Sequence, residues 1–194
     1  MSTLKLHQLQ NLICDHKYTQ EIVYRPLCRS DAFFLYQAAT STPEFNRYLL
    51  WNTPNNLAEV LVQIDKLLRQ TQLDQSYSFS LTDRATGSWL GFTVLKPYRD
   101  GIEMSSYIHP QYWNKGIVVT SSKGLVQCIF DHQDAPLYSR TLAENAPMVH
   151  IYNAYGFVLD APDVAYHATK GKYDLLVFRL DKTVWPGYDG VFTF

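Results

Sequence analysis

The chain is 194 residues long, with 46% hydrophobic content and a formal net charge of −1 from 17 basic and 18 acidic residues. That is enough for one good hydrophobic core, and it supplies no global field that would draw nucleic acid or an anionic membrane. Cys14, Cys28 and Cys128 are odd in number and outside any metal-spaced pair, no apolar run reaches transmembrane length, and the N-terminus lacks an apolar signal core, so free thiols and a cytoplasmic location are expected.

In chain order, Leu4 to Tyr18 reads as a short helix or a loosely packed arm, and Ile22-Val23-Tyr24 as a strand ended by Arg25-Pro26. Ser30-Asp31-Ala32 reads as an N-cap and first turn, leading a helix that carries Phe33, Phe34, Tyr36 and Gln37 on different sides. Pro43-Glu44 opens another helical turn with Phe45, Tyr48 and Leu49 inward, and Trp51 to Pro54 is a break. The clearest amphipathic helix runs from Asn56 to Gln70, with Leu57, Val60, Leu61, Ile64, Leu67 and Leu68 as its apolar stripe. The period then changes to two. Tyr77, Phe79 and Leu81 alternate with serine and threonine, Asp83 to Gly87 is a turn, and Ser88 to Leu95 returns as a second strand. Pro97 to Gly101 is the next connection.

The stretch from Glu103 to Ile129 organises the rest. Glu103 to Ile108 is extended, His109-Pro110 stops the run, and Tyr112 to Gly116 is a polar turn that feeds a helix from Ile117. A glycine-bearing turn before a helix exposes unpaired amides that can receive a phosphate, although a plain strand-to-helix connection fits the same residues. Asp131 to Pro136 reads as a loop, Leu137 to Leu142 as a strand, and Ala146 to Tyr155 as a helix ended by Gly156. Phe157 to Leu159 and Asp174 to Leu180 are late strands joined by a loop through Ala161 to Asp163 and Thr169 to Lys172. The pattern predicts a single α/β domain over 1–194, its mixed, mostly antiparallel sheet flanked by the Asn56 helix on one face and the Val118 helix on the other. Residues 1–20 form its N-terminal arm and 184–194 an aromatic tail.

In their order, Glu21 to Leu27, Thr86 to Phe92, Tyr107 to Gly116, Glu144-Asn145 with Tyr152 to Phe157, and Leu175 to Leu180 resemble the GCN5-related N-acetyltransferase (GNAT) family, especially its Rim-type, ribosomal-protein-acetylating branch. The resemblance implies an acyl-CoA N-acyltransferase-like fold and acetyl-CoA as co-substrate. Its pyrophosphate loop has the form Gln/Arg-x-x-Gly-x-Gly/Ala. Trp113 falls at the first position and Gly116 at the first glycine, while Val118 replaces the small final residue and Asn114 stands where the branch often carries another glycine. The cofactor-binding set implied is Trp113, Asn114, Lys115, Gly116, Ile117 and Val118 around the pyrophosphate, with Ser105, Ser106, Tyr107 and Asn145 along the pantetheine arm.

By the same resemblance, Tyr152 is the general acid for the departing thiolate and Glu103 accepts or relays the amine proton. A phenol suits the first role because its ordinary pKa of about 10 is not far above the value of about 8.5 for a thiol. A buried core tyrosine and a salt-bridged strand glutamate are the bland alternatives. His109 is a weaker candidate base at a His-Pro turn, and Met148 either lines the acetyl channel or fills the core. No metal-ligand spacing, nucleophile elbow or basic-aromatic stripe is present in the sequence. The expected activity is acetyl transfer to a primary amine of a small molecule or a protein N-terminus by direct attack, with no metal, nucleic acid or membrane partner. The 14 Tyr and 10 Phe leave a homodimer open through the tail or a sheet edge. Val118, Thr120 and Met148 depart from the family pattern and motivate a second reading, a non-catalytic acyl-CoA-binding or protein-interaction domain on the same scaffold.

Overall fold

The computed structural model describes residues 6–15, 21–49, 52–167 and 171–189. Its strands are β1 (Ile22–Pro26), β2 (Tyr77–Asp83), β3 (Trp89–Tyr98), β4 (Gly101–Ile108), β5 (Leu137–Thr141), β6 (Val158–Leu159), β7 (Asp163–His167) and β8 (Gly171–Leu180), and its helices are α1 (Leu6–Asp15), α2 (Ala32–Ser41), α3 (Pro43–Arg47), α4 (Leu57–Gln72), α5 (Ile117–His132) and α6 (Ala146–Ala154). One mixed sheet runs β1-β2-β3-β4-β5-β8-β6, with β7 paired to the first half of β8. The mixed α/β sheet flanked by helices is as expected.

Side-chain alternation divides the core. Tyr77, Phe79 and Leu81 point to one face and pack with Leu125, Val126 and Ile129 of α5 and with Ile13 of α1. On the other face, Trp89 and Phe92 pack with Leu35 of α2 and with Val60 and Ile64 of α4. The α4 helix starts where the Asn56 side chain accepts from the Glu59 amide at 3.0 Å, capping an otherwise unpaired donor. Its fully buried residues are Val60 and Ile64, one turn apart, while the rest of the expected stripe lies at the edge of the contact. In α2, Leu35, Ala38 and Ala39 turn inward and leave Phe33 and Phe34 exposed.

Opposed residues of an antiparallel pair share a face. Phe92 lies opposite Tyr107 and stacks on it at 4.6 Å, and Lys96 lies opposite Glu103, so Glu103, Ser105 and Tyr107 face α4. Met104, Ser106 and Ile108, one residue out of phase, face α5.

The feature that positions the site is a break between β4 and β5. These strands run parallel but pair only at Ile102–Leu137 and Glu103–Tyr138. Beyond those pairs β4 continues to Ile108, held by β3 alone, and β5 continues to Thr141, held by β8. A seam therefore opens in the middle of the sheet. At its closed end Gly101 lies against the Pro136 carbonyl, too near for any side chain.

Several boundaries differ from the sequence reading. β3 runs through Pro97 to Tyr98, because Arg99 in a left-handed conformation closes a two-residue turn to Gly101. α5 extends to His132, two residues into the expected loop, while at the N-terminus the helix, of the two readings offered, is the one found, with Ile13 of α1 buried. The late loop is instead strand β7 in a hairpin with β8, which begins at Gly171. Asp31 does not cap α2 with its side chain. It is buried, and accepts from Arg25, the Cys28 amide and Ser80. The expected break at Trp51, the Thr169-Lys170 part of the late loop and the tail from Gly190 to Phe194 lie outside the described residues.

Candidate active site

Two cavities meet at the seam. The one at the α5 end, about 330 Å³, is walled by Phe45, Trp113, Ile117 and Ile151 among others and reaches the first turn of α5. Its neighbour on the α4 face, about 570 Å³, is more polar and reaches Glu103, Arg140 and Tyr152. Tyr48, Leu49, Ser106, Tyr107, Asn145 and Met148 line both. An elongated molecule lying against the start of α5 can therefore run along the seam and present its end to the polar cavity.

The α5 end of this path suits an anion. Asn114 and Gly116 adopt left-handed backbone at φ 60° and 72°, and Gly116 is the residue before the helix. The first intrahelical bond runs from the Thr120 amide to the Gly116 carbonyl at 2.9 Å, which leaves the amides of Ile117, Val118 and Val119 without intrahelical acceptors. Asparagine is among the few side chains that accept this backbone conformation, so it fills the position where a second glycine was expected. Space beside Gly116 is open. Val118 packs partly into the core beneath the helix and also lines the cavity. The Trp113 indole is fixed by a bond from Nε1 to the Ile108 carbonyl at 2.8 Å. Asn145 lines the path, and its side-chain amide has no hydrogen-bond partner among the described residues.

Tyr152 projects from α6 toward the seam and is 7% exposed. The Ser139 hydroxyl stands 2.6 Å from the Tyr152 hydroxyl and 3.0 Å from the Met104 carbonyl, bridging β5 to β4 where their backbones have parted. Burial pushes the Tyr152 phenol up to about 12, with the charge of Glu103 adding to the rise and the Ser139 hydroxyl opposing it. Glu103 is 3% exposed, and both its oxygens are engaged. Oε1 accepts from Ser105 at 3.3 Å, while Oε2 meets Arg140 Nε at 3.0 Å and Lys96 Nζ at 3.3 Å. Arg140 also binds Asp163 at 2.5 Å, and its guanidinium lies 4.9 Å from the centre of the Tyr98 ring.

Most of the expected site residues thus converge. Ser105, Ser106, Tyr107, Asn145, Glu103 and Tyr152 line the seam or its α4 side, and Trp113, Asn114, Gly116, Ile117 and Val118 line the α5 side. Lys115 does not line either cavity; its ammonium sits 5.3 Å over the Tyr112 ring. His109 accepts from the Gln111 amide and caps a short turn, and burial holds its imidazole below the ordinary value. Sequence reasoning missed Lys96, Ser139 and Arg140. An arginine and a serine following Leu137 and Tyr138 within one strand were the available signal. Among the described residues, no group of three or more His, Cys, Asp or Glu is placed to hold a metal ion, and no helix is long and apolar enough to cross a membrane.

Comparison with known proteins gives the family and the fold. A family profile described as "Acetyltransferase (GNAT) domain" matches residues 21–158. The structure is similar to a GCN5-related N-acetyltransferase from Brucella melitensis, with a TM-score of 0.74 at 19% identity over 87% of this chain and 79% of that one. It is also similar to RimL, a ribosomal L7/L12 alpha-N-protein acetyltransferase in complex with coenzyme A (TM-score 0.70, 11% identity, 85% and 96% covered). A third similar structure is the microcin C7 self-immunity acetyltransferase MccE in complex with acetyl-CoA and AMP (0.71, 16%, 87% and 96%). No curated protein matches the sequence. At these identities the solved structures establish the fold, and the profile establishes the family.

Proposed function

Because the chain belongs to the GNAT acetyltransferase family and is an acetyl-CoA-dependent N-acetyltransferase, we propose that it transfers acetyl to a primary amine by direct attack across the β4–β5 seam. The observation that carries this reading is the seam itself, which joins a cavity ending in free helix amides to a polar cavity holding Glu103 and Tyr152.

The amides of Ile117 to Val119 receive the pyrophosphate, and the left-handed Asn114 and Gly116 shape the turn around it. Ser105, Ser106 and Tyr107 offer the unpaired edge of β4 to the pantetheine arm, which Asn145 holds from the other side. The amine nitrogen, approaching from the α4 face, forms a bond to the thioester carbonyl carbon as the carbon–sulfur bond breaks. Its surplus proton leaves toward Glu103, through water where the Arg140 and Lys96 contacts occupy the carboxylate. Tyr152 returns a proton to the thiolate, and Ser139 fixes the direction of the phenol. Acceptors within this reading are a small-molecule amine and a protein N-terminus.

Calorimetric titration with acetyl-CoA and CoA tests the first half. Saturable binding at micromolar concentration is expected, and absence of binding overturns the loop assignment. Thiol release across an amine panel tests the second half. Glu103→Gln is expected to lower turnover while leaving acetyl-CoA affinity within about twofold, as befits a group on the acceptor side.

Tyr152 and Glu103 each have a partner within the protein, Ser139 and Arg140, which must leave the acid and the base usable once substrates are bound. Saturable acetyl-CoA binding with no thiol release for any amine in the panel would overturn the roles given to both.

A further inference from the structure

The polar cavity carries a charge pattern that bears on the acceptor. Its lining includes three cations, Lys66, Lys96 and Arg140, and one carboxylate, Glu103. Lys96 and Arg140 both bind that carboxylate, and Arg140 reaches a second one, Asp163, just outside the lining. Every acid at the cavity is therefore already neutralised. Lys66 is different. It stands on the exposed side of α4 at the cavity mouth and has no carboxylate within ion-pair distance among the described residues. The Arg140 guanidinium spends Nε on Glu103 and Nη1 on Asp163, and its Nη2 makes no hydrogen bond among the described residues.

An acceptor with a second positive charge meets no free counter-ion here and approaches an excess of cations. An acceptor with an oxyanion beside its amine meets the unpartnered Lys66 ammonium and the remaining Arg140 donors. Arginine and lysine so placed favour carboxylate and phosphate by charge-assisted hydrogen bonds. Building on the acetyltransferase reading above, we propose that the acceptor is a small primary amine carrying an oxyanion, either a carboxylate or a phosphate, which Lys66 and Arg140 receive while the amine lies toward Glu103. The same charges disfavour polyamines.

The test separates binding from chemistry. Matched amines are titrated by calorimetry into the full chain saturated with CoA, where no acetyl can be transferred. Glycine against glycinamide reads a carboxylate, glucosamine 6-phosphate against glucosamine reads a phosphate, and spermidine reads a polycation. In at least one pair the anionic member is expected to bind about tenfold more tightly than its neutral partner at low salt, with the gap narrowing as salt rises. Spermidine is expected to bind worst. Lys66→Gln, an exposed change that leaves the fold intact, is expected to shrink that gap about threefold or more. Equal affinities within both pairs, no binding by either anionic amine at millimolar concentration, or tighter binding of spermidine overturns the proposal. A gap that K66Q leaves unchanged overturns the role of Lys66. Failure of the acetyltransferase reading shows separately, as absence of thiol release from acetyl-CoA with every one of these amines.

Discussion

Burial that pushes the Tyr152 phenol up to about 12 keeps it protonated, and so able to act as an acid, through the neutral and mildly alkaline range. If Tyr152 protonates the thiolate, turnover should climb with pH as the amine loses its proton and then stay level to about pH 10, with no alkaline fall from this group. Tyr152→Phe should lower kcat by about 100-fold or more and leave the acetyl-CoA KM within about twofold, because the hydroxyl acts on the leaving group. Steady-state rates across pH on the two proteins check both. Asp31 offers a residue-scale test of stability. Burial opposes its charge, but bonds from Arg25, the Cys28 amide and Ser80 outweigh it and hold the carboxyl below the ordinary range. A depressed folded value stabilises above the unfolded one of about 3.9 and is lost as pH falls through the folded value. Asp31→Asn should therefore cost about 3 kcal/mol near neutrality, and the difference from the parent should shrink below about pH 4 in denaturant titrations. Individual residues were legible in the sequence unevenly. Tyr152 and Glu103 stood out through their place in an ordered set of motifs, whereas Lys96, Ser139 and Arg140 matter through cross-strand neighbours that the sequence does not record.

At the scale of elements, the seam depends on how tightly its closed end is held. Gly101 touches the Pro136 backbone where β4 and β5 begin to pair. Gly101→Ala should cost roughly 1–3 kcal/mol by overpacking, and by prising the strands apart at that end it should also weaken acetyl-CoA binding. Urea unfolding and cofactor titration on one preparation read the two effects. The elements that set up this geometry were visible as periodicity. The alternation of Tyr77, Phe79 and Leu81 and the three-and-four spacing of α4 each survive as one buried face. β7 was not visible. Its Val164 and Tyr166 are exposed, and it is a strand because β8 lies beside it, a tertiary cause that local pattern cannot carry. The parting of β4 from β5 was equally silent, since both strands have ordinary strand sequences and differ only in what lies alongside.

For the molecule as a whole, the C-terminal stretch is tied back onto α5. Trp185 lies against Tyr155, and the Gln127 side chain accepts from the Trp185 indole and the Tyr188 amide, both at 2.9 Å. Removing 184–194 should lower stability by about 2 kcal/mol through lost aromatic burial, read as a fall in Tm. Light scattering on the same pair tests whether the tail joins two copies; a mass that halves on truncation would place it at a dimer interface. The seam between β4 and β5 also governs exchange with solvent. A β-strand missing one ladder keeps half its amides unprotected, so those amides of residues 104–108 that do not bond to β3 should take up deuterium about as fast as a frayed edge. A ligand lying along that edge would act as a temporary strand. At a hundredfold excess over Kd, opening that requires its departure should slow by about a hundredfold. The sheet would then be whole only while the protein is loaded, and each turnover would end by unzipping it.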